Sequence, residues 1–267
     1  MPGTATFDST APAARESEAS RAGARGSLTI VIPCYHEADA IPELAVRLHA
    51  FHADEGRRRQ LDFVFVDDGS ADATHDLLVL HCADLPSRIL RHPQNLGLTA
   101  ALATGSRAAT GALVGWFDAD LTYAPDVLAQ LARAVDGGAS IATASCHHPL
   151  GRMEGVPPFR AMLSRLASRL YRVASGAPLH TFTCMVRVHR RDVLATLPLS
   201  APGFLGVAES LLAAIAAGRE VVEVPATLRA RQRGASKMRV VRAGLAHLRL
   251  MFAALQQRIR AGRPAVR

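Results

Sequence analysis

The chain has 267 residues, a formal net charge of +8 and 49% hydrophobic residues. That length and apolar content suit one large α/β domain with a sizeable core. No stretch of about 18 apolar residues is free of charged side chains, so no transmembrane helix is expected. The most apolar segment, Leu205 to Ala217, is short and contains Glu209. No nucleic-acid module is recognisable, and the cationic surface points instead to anionic lipid or a phosphorylated substrate.

Residues 1–26 are rich in Ala, Ser, Gly, Thr and Arg. They lack the apolar centre of a signal peptide and read as a disordered tail. Leu28-Thr-Ile-Val-Ile-Pro33 is a buried strand by pattern, ending in Cys34-Tyr35-His36-Glu37. A helix is expected at about 40–53. Leu61-Asp-Phe-Val-Phe-Val66 is the second strand and runs into Asp67-Asp68-Gly69-Ser70, with Ser70 or Asp72 as a cap for a helix at 72–83. After a helix at 97–109 comes Leu113-Val-Gly-Trp-Phe-Asp118-Ala-Asp120.

Two carboxylates flanking one alanine at a strand's end are the most informative feature. Open α/β sheets bind ligands at the C-terminal ends of their strands. Alternation along a strand sends Asp118 and Asp120 to the same side. Hard oxygen ligands so placed suit Mg²⁺ or Mn²⁺ that also holds a diphosphate. Three strand ends carrying polar groups point to one nucleotide-sized site.

Further helices are expected at about 125–136, 159–175, 207–217 and 239–259, and a strand at Cys184–Val188. The 159–175 segment carries Met162, Leu163, Leu166, Leu170 and Val173 at helical spacing, with Arg165, Arg169 and Arg172 on the other face. The last helix is basic and amphipathic; it suits either a membrane interface or packing on the core. Cys34, Cys82, Cys146 and Cys184 are widely spaced and read as reduced thiols of a cytosolic protein. Cys146 beside His147 and His148 gives only a weak metal signal.

Val31-Ile-Pro33-Cys-Tyr35-His-Glu37, Val66-Asp67-Asp68-Gly69-Ser70, Asn95-Leu-Gly97, Ala109-Thr-Gly111 and Asp118-Ala-Asp120-Leu occur in one order. Their spacing resembles that of family 2 glycosyltransferases of the GT-A fold, a Rossmann-like, mostly parallel sheet flanked by helices. Glu223-Val-Pro225 and Arg233-Gly-Ala-Ser236-Lys237-Met238 resemble the dolichol-phosphate mannosyltransferase branch. The likeness covers about residues 28–240. It implies a GT-A domain over 27–238, with 239–267 a basic C-terminal helix and tail.

The same resemblance implies roles. Pro33, Tyr35 and Glu37 match the nucleoside pocket, and Asp67 the carboxylate on base or ribose; Asp68 is read as stabilising the following turn. Asp118 and Asp120 match the metal and diphosphate site. Arg233 and Lys237 match a segment closing over the diphosphate. Arg160, Ser164 and Arg187 match the acceptor-phosphate region, and Glu209 an acidic position that orients acceptor or metal, serves as base for a hydroxyl acceptor, or is an ordinary ion-paired carboxylate. The implied reaction is inverting transfer of a sugar from a GDP-mannose or UDP-glucose type donor to polyprenyl phosphate, at the cytoplasmic membrane face. An anionic membrane surface and a membrane-bound partner subunit are the further expected partners. Competing readings are a hydroxyl acceptor with the same donor and a non-catalytic nucleotide-sugar binding or scaffold protein.

The acceptor half departs from the branch. Thr122 stands where Gln or Ser is usual. Thr181-Phe-Thr183-Cys-Met-Val-Arg187 replaces a segment that begins with Asp, and Ala144-Ser-Cys-His-His replaces Gly-Ser-Arg-Tyr.

Overall fold

The computed structural model describes residues 26–230, 240–260 and 262. The N-terminal tail up to residue 25, Arg233 and Lys237 lie outside the described residues. Alternation of strand and helix builds a seven-stranded sheet of order β3-β2-β1-β4-β7-β5-β8. Its strands are β1 (Leu28–Cys34), β2 (Leu61–Asp67), β3 (Ser87–Arg91), β4 (Leu113–Trp116), β5 (Ile141–Ser145), β7 (Arg187–Arg190) and β8 (Val221–Pro225). Only β7 runs antiparallel to its neighbours. A second ribbon pairs β6 (Arg152–Glu154) with β9 (Thr227–Arg229) in parallel.

The central strands are buried on both faces, which is why they read as continuous apolar runs. Alternate side chains go to opposite sides. Ile30, Ile32, Phe63 and Phe65 pack under α1 (Ile41–Glu55), α2 (Thr74–Cys82) and α4 (Asp126–Asp136). Val31, Val64, Val66, Val114 and Trp116 pack under α3 (Leu98–Ala108) and α7 (Phe204–Ala216). Each such side chain contributes about 1.5–3 kcal/mol when fully buried. The α3 contact is close: a Cβ at Gly105 would lie 2.2 Å from Val31 Cγ1.

A third cluster joins α5 (Pro158–Ser175), α7 and α8 (Val240–Arg260) through Tyr171, Phe182, Leu211 and Met251. Here the structure differs from the periodicity argument. On α5 the buried residues are Ala161, Ser168, Tyr171 and Ala174. Phe159, Met162, Leu166, Leu170 and Val173 are exposed. Small residues let α5 approach its neighbours, so its bulky apolar stripe faces outward. Helix α8 packs on the core through Met251, while Leu245, Leu248, Phe252 and Ile259 are exposed. Among the described residues no helix is long and apolar enough to cross a membrane.

The short α6 (Arg191–Leu194) follows β7 directly, and β7 begins at Arg187 rather than at Cys184. Other expected elements are found within a few residues of their observed bounds.

Candidate active site

The parallel strands β1, β2, β4, β5 and β8 all end at one edge of the sheet, and the antiparallel β7 starts there. Pro33, Tyr35, Glu37, Asp67, Asp118 and Asp120 all follow or end strands at this edge.

Over β2 and β1 the loops are tied by side chains. Pro33 and Cys34 pair with Val66 and Asp67. The His36 N–H donates to Ser70 Oγ at 3.0 Å and the Glu37 N–H to Thr74 Oγ1 at 2.8 Å. Tyr35 is half-buried, its ring edge-on to His36 at 4.3 Å. Asp72, not Ser70, receives the Thr74 N–H and hydroxyl at the start of α2.

Adjacent carboxylates Asp67 and Asp68 divide their work differently from expectation. Asp67 Oδ1 accepts the Ser70 N–H at 3.0 Å, so Asp67 closes the following turn. Its Oδ2 lies 3.1 Å from Arg91 Nε yet makes no hydrogen bond. Asp68 reaches across to another loop, accepting the N–H groups of Leu96 and Gly97 at 2.9 and 2.8 Å and bonding His92 Nδ1 at 2.7 Å. The glycine between them and Ser70 is required: Gly69 has φ +72°, and a Cβ there would meet the Gln94 backbone at 2.3 Å.

Strand β4 stops at Trp116, so Asp118 and Asp120 stand on the loop beyond it. Strand alternation is therefore not what sets their directions. The loop is shaped by Leu121, whose φ of 57° is unusual for a bulky residue, and by the Thr122 N–H donating to Asp120 Oδ1 at 3.1 Å. Both carboxylates are half-buried. A cleft of about 260 Å³ lies against Asp120, walled also by Arg47, Tyr123 and Arg229. The Arg229 N–H donates to Thr122 O at 2.8 Å and fixes β9 beside this loop. Two carboxylates with room beside them match a hard cation that takes its remaining ligands from phosphate and water. Among the described residues no group of three or more His, Cys, Asp or Glu side chains could hold a metal by itself.

Tyr123 continues the site towards β5. Its hydroxyl lies close to the Cys146 and Cys184 thiols, and burial pushes its pKa far up. The Cys184 thiol is pushed up to about 12 by burial, with the Asp118 charge acting in the same direction. All four cysteines are buried thiols.

The acceptor-side candidates are only partly brought together. Arg160 is exposed near the start of α5. One turn on, Ser164 Oγ bonds His147 Nε2 at 2.9 Å. Arg187 is placed differently from a phosphate-gripping cation. It is fully buried, and its guanidinium donates to the Val207 and Phe182 carbonyls at 2.6 Å each and to Thr143 Oγ1 at 3.4 Å. Burial lowers its pKa to about 10. Those bonds leave it no approach to an acceptor and make it a tie between β7, the 182 loop and α7. Glu209 is similarly engaged: it accepts the Ser200 and Ala201 N–H groups at 3.2 and 3.0 Å and the Ser200 hydroxyl at 3.1 Å.

Some groups near the site have no role in the sequence reading, among them Glu223, there only part of the Glu223-Val-Pro225 motif. Glu223 from β8 accepts the His180 and Thr181 N–H groups at 2.9 and 2.7 Å and holds His180 Nδ1 at 2.8 Å. Forty-three residues separate His180 from Glu223, and no local pattern joins them. Arg91, over Asp67, lies at the end of a strand whose apolar pattern is weak.

The model of glycosyl transferase family 2 matches residues 29–197. This chain belongs to that family. It is 36% identical over 219 residues to polyprenol monophosphomannose synthase of Mycolicibacterium smegmatis, covering 78% of this chain and 80% of that protein. It is 29% identical over 218 residues to dolichol-phosphate mannosyltransferase of Pyrococcus furiosus, covering 79% of this chain and 59% of the archaeal protein's length. A solved structure of Mycobacterium tuberculosis glucosyl-3-phosphoglycerate synthase, with Mn²⁺, UDP and glucosyl-3-phosphoglycerate, superposes with a TM-score of 0.65 at 18% identity, over 97% of this chain and 88% of that one. The family 2 chain described here thus has the GT-A type of α/β fold, with its polar strand ends at the expected edge.

Proposed function

We propose that this glycosyltransferase is a hexosyltransferase that moves a sugar from a GDP-mannose or UDP-glucose type donor to a polyprenyl phosphate, with inversion. The observation that carries the reading is the division of one sheet edge. Donor-type groups (Tyr35, Glu37, Asp67, Asp118, Asp120) stand over β2, β1 and β4, and a cationic helix, α5, flanks the other end. The named activities of the mycobacterial and archaeal relatives support the acceptor.

In this reading Pro33, Tyr35, Glu37 and Asp67 hold the nucleoside, and Asp118 and Asp120 hold Mg²⁺ or Mn²⁺. When bound, the cation supplies Lewis-acid neutralisation of the diphosphate. Arg233 and Lys237 add cationic stabilisation to the same charge. An acceptor phosphate oxygen attacks the anomeric carbon while the bond to the diphosphate oxygen breaks, and the nucleoside diphosphate leaves with that electron pair. No proton has to be removed, because a phosphate monoester is already anionic at neutral pH. Positioning then dominates catalysis. Glu209, occupied by the 200–201 turn, is not needed as a base.

The exposed apolar residues of α5 and α8 beside their arginines suit peripheral contact with anionic lipid at the cytoplasmic face; a membrane-bound partner subunit is the other occupant of this surface. The test is a donor panel with polyprenyl phosphate and Mn²⁺, following nucleoside diphosphate release and lipid product separately. Release without lipid product would overturn the acceptor. No release with any donor would favour a non-catalytic binding role.

A further inference from the structure

The loop between β1 and α1, residues 35–40, carries Tyr35 and Glu37. The loop between β2 and α2, residues 68–73, follows Asp67 directly. Two buried hydroxyl side chains, Ser70 and Thr74, join the two loops. We propose that Ser70 and Thr74 are donor-positioning residues, which act through the backbone of His36 and Glu37 to hold Tyr35 and Glu37 in register with Asp67 around the nucleoside. This rests on the nucleoside reading of Tyr35, Glu37 and Asp67 above.

Each tie is a chain of bonds rather than a single one. Asp67 Oδ1 accepts the Ser70 N–H at 3.0 Å, and Ser70 Oγ accepts the His36 N–H at 3.0 Å. One residue on, the Glu37 N–H donates to Thr74 Oγ1 at 2.8 Å, and that hydroxyl donates to Asp72 Oδ1 at 2.6 Å. The hydroxyl therefore has a fixed direction, and its bond to a carboxylate strengthens it as an acceptor for Glu37. Asp72 remains the charged end of this chain. Burial pushes its carboxyl up, but Thr74, the Ala38 backbone and His36 together bring it below the usual carboxylate value. His36 Nδ1 lies 3.7 Å from Asp72 Oδ2.

Backbone conformation marks where the two ties meet. His36 has φ +52°, a left-handed form that residues with a Cβ rarely adopt. Such a residue persists where its surroundings over-determine it. Here the N–H of residue 36 is taken by Ser70 and that of residue 37 by Thr74. The Glu37 carbonyl accepts the Ala40 and Ile41 N–H groups at 2.8 and 3.1 Å, so both backbone groups of Glu37 are held. On the other side the Asp68 N–H donates to Cys34 O at 2.8 Å, which extends the β1–β2 pairing to the residue before Tyr35. The Tyr35 ring then meets His36 edge-on at 4.3 Å. The strained residue thus stands between the two side chains assigned to the ligand. A loop held this way meets the nucleoside already ordered, and less conformational freedom is lost on binding.

The test is calorimetry of the full chain with GDP and with UDP, each with Mn²⁺, and a Tm for every variant. Thr74→Val keeps the side-chain shape and removes the hydroxyl. Its Kd for the nucleotide that wild type binds is expected to rise about tenfold. Thr74→Ser restores the hydroxyl and should return the Kd to within about threefold of wild type. Ser70→Ala should act in the same direction as Thr74→Val and serves if that variant fails to fold. His36→Asn and His36→Val both remove the imidazole, but Asn accepts the left-handed backbone far more readily than a β-branched residue. His36→Asn should bind within about threefold of wild type and His36→Val about tenfold more weakly. In steady state Thr74→Val should raise the donor KM more than it lowers kcat. Binding of Mn²⁺ with inorganic pyrophosphate, which lacks the nucleoside, should stay within about twofold.

Nucleotide binding like that of wild type in folded Thr74→Val and Ser70→Ala overturns the positioning role and leaves the proposed donor standing. Equal weakening of pyrophosphate and nucleotide, with a lowered Tm, would make the two hydroxyls supports of the fold alone and also overturns it. Equal losses in the two His36 variants would trace the effect to the imidazole and overturn the route through the backbone. If wild type binds neither GDP nor UDP, the donor reading itself fails, and the positioning role with it.

Discussion

Glu223→Ala tests how much one buried carboxylate holds together. The Glu223 side chain is only 5% exposed and receives three N–H bonds from His180 and Thr181. Truncation strands the Thr181 N–H, whose residue is buried, while the His180 ring can turn to water because it is 31% exposed. A stranded buried donor costs about 1–3 kcal/mol, and a lost bond to a charged group about 1.5–3 kcal/mol before rehydration. Taking one full orphan and partial loss of the other two gives a net cost of about 3 kcal/mol. For a domain of this size that lowers Tm by about 6–12 °C. Glu223→Gln keeps the volume but turns an amide NH₂ towards donors, so about 1–2 kcal/mol is expected. Urea unfolding with a constant m-value measures both. Nucleotide binding by the folded variants should match wild type. If both variants unfold within about 0.5 kcal/mol of wild type, the carboxylate is not the tie described, and His180 owes its place to packing.

Asp120→Asn should remove most turnover with little change in Tm, the loss being on the order of 3 kcal/mol of transition-state stabilisation or about 100-fold; full activity in excess chelator would reject the metal role. Asp67→Ala should weaken nucleotide binding by calorimetry, whereas Arg187→Met should lower stability and leave nucleotide and acceptor binding by the folded fraction nearly unchanged. A selective loss of acceptor binding in Arg187→Met would show that Arg187 does reach the acceptor. Burial holds the His189 pKa down at about 3, with Arg187 adding to the shift. The unfolded imidazole takes up its proton near pH 6.5, so the unfolded state binds more protons between these values and stability falls as pH drops. The loss from pH 8 to pH 5 is about 2 kcal/mol. His189→Gln should remove that increment of pH dependence from urea unfolding curves; an unchanged slope would mean His189 is charged when folded.

The donor half was legible because its signals are local. Runs such as Leu61–Val66 mark strands by composition, and a carboxylate pair directly after a strand has one place to go. Even so, the turn after β2 is closed by Asp67 rather than Asp68, since which of two neighbours bends back to Ser70 and which reaches Gly97 depends on a loop 29 residues away. The acceptor half is built from long-range pairs: His147 with Ser164, His180 with Glu223, Arg187 with Val207. Helical periodicity found the apolar stripe of α5 but does not say which stripe faces in. There, close packing of Ala161, Ser168 and Ala174 outweighed the larger side chains. Arg187 reads as an acceptor ligand only through its match to a family position, and nothing in a single sequence announces two backbone carbonyls waiting at 2.6 Å.

The chain contains one tryptophan, and it is Trp116. Its ring is fully buried at the end of β4, its Nε1–H donates to Ser106 Oγ at 3.0 Å, and His189 lies against it at 4.5 Å between ring centroids. Only Phe117 separates it from Asp118. The protein therefore carries its own optical reporter. Intrinsic emission on tryptophan-selective excitation comes from a single emitter in a buried setting two residues from Asp118. If Asp118 and Asp120 hold the cation as proposed, titrating donor or Mn²⁺ should change that band, and a red shift marks the opening of the sheet at β4 before any other probe is attached.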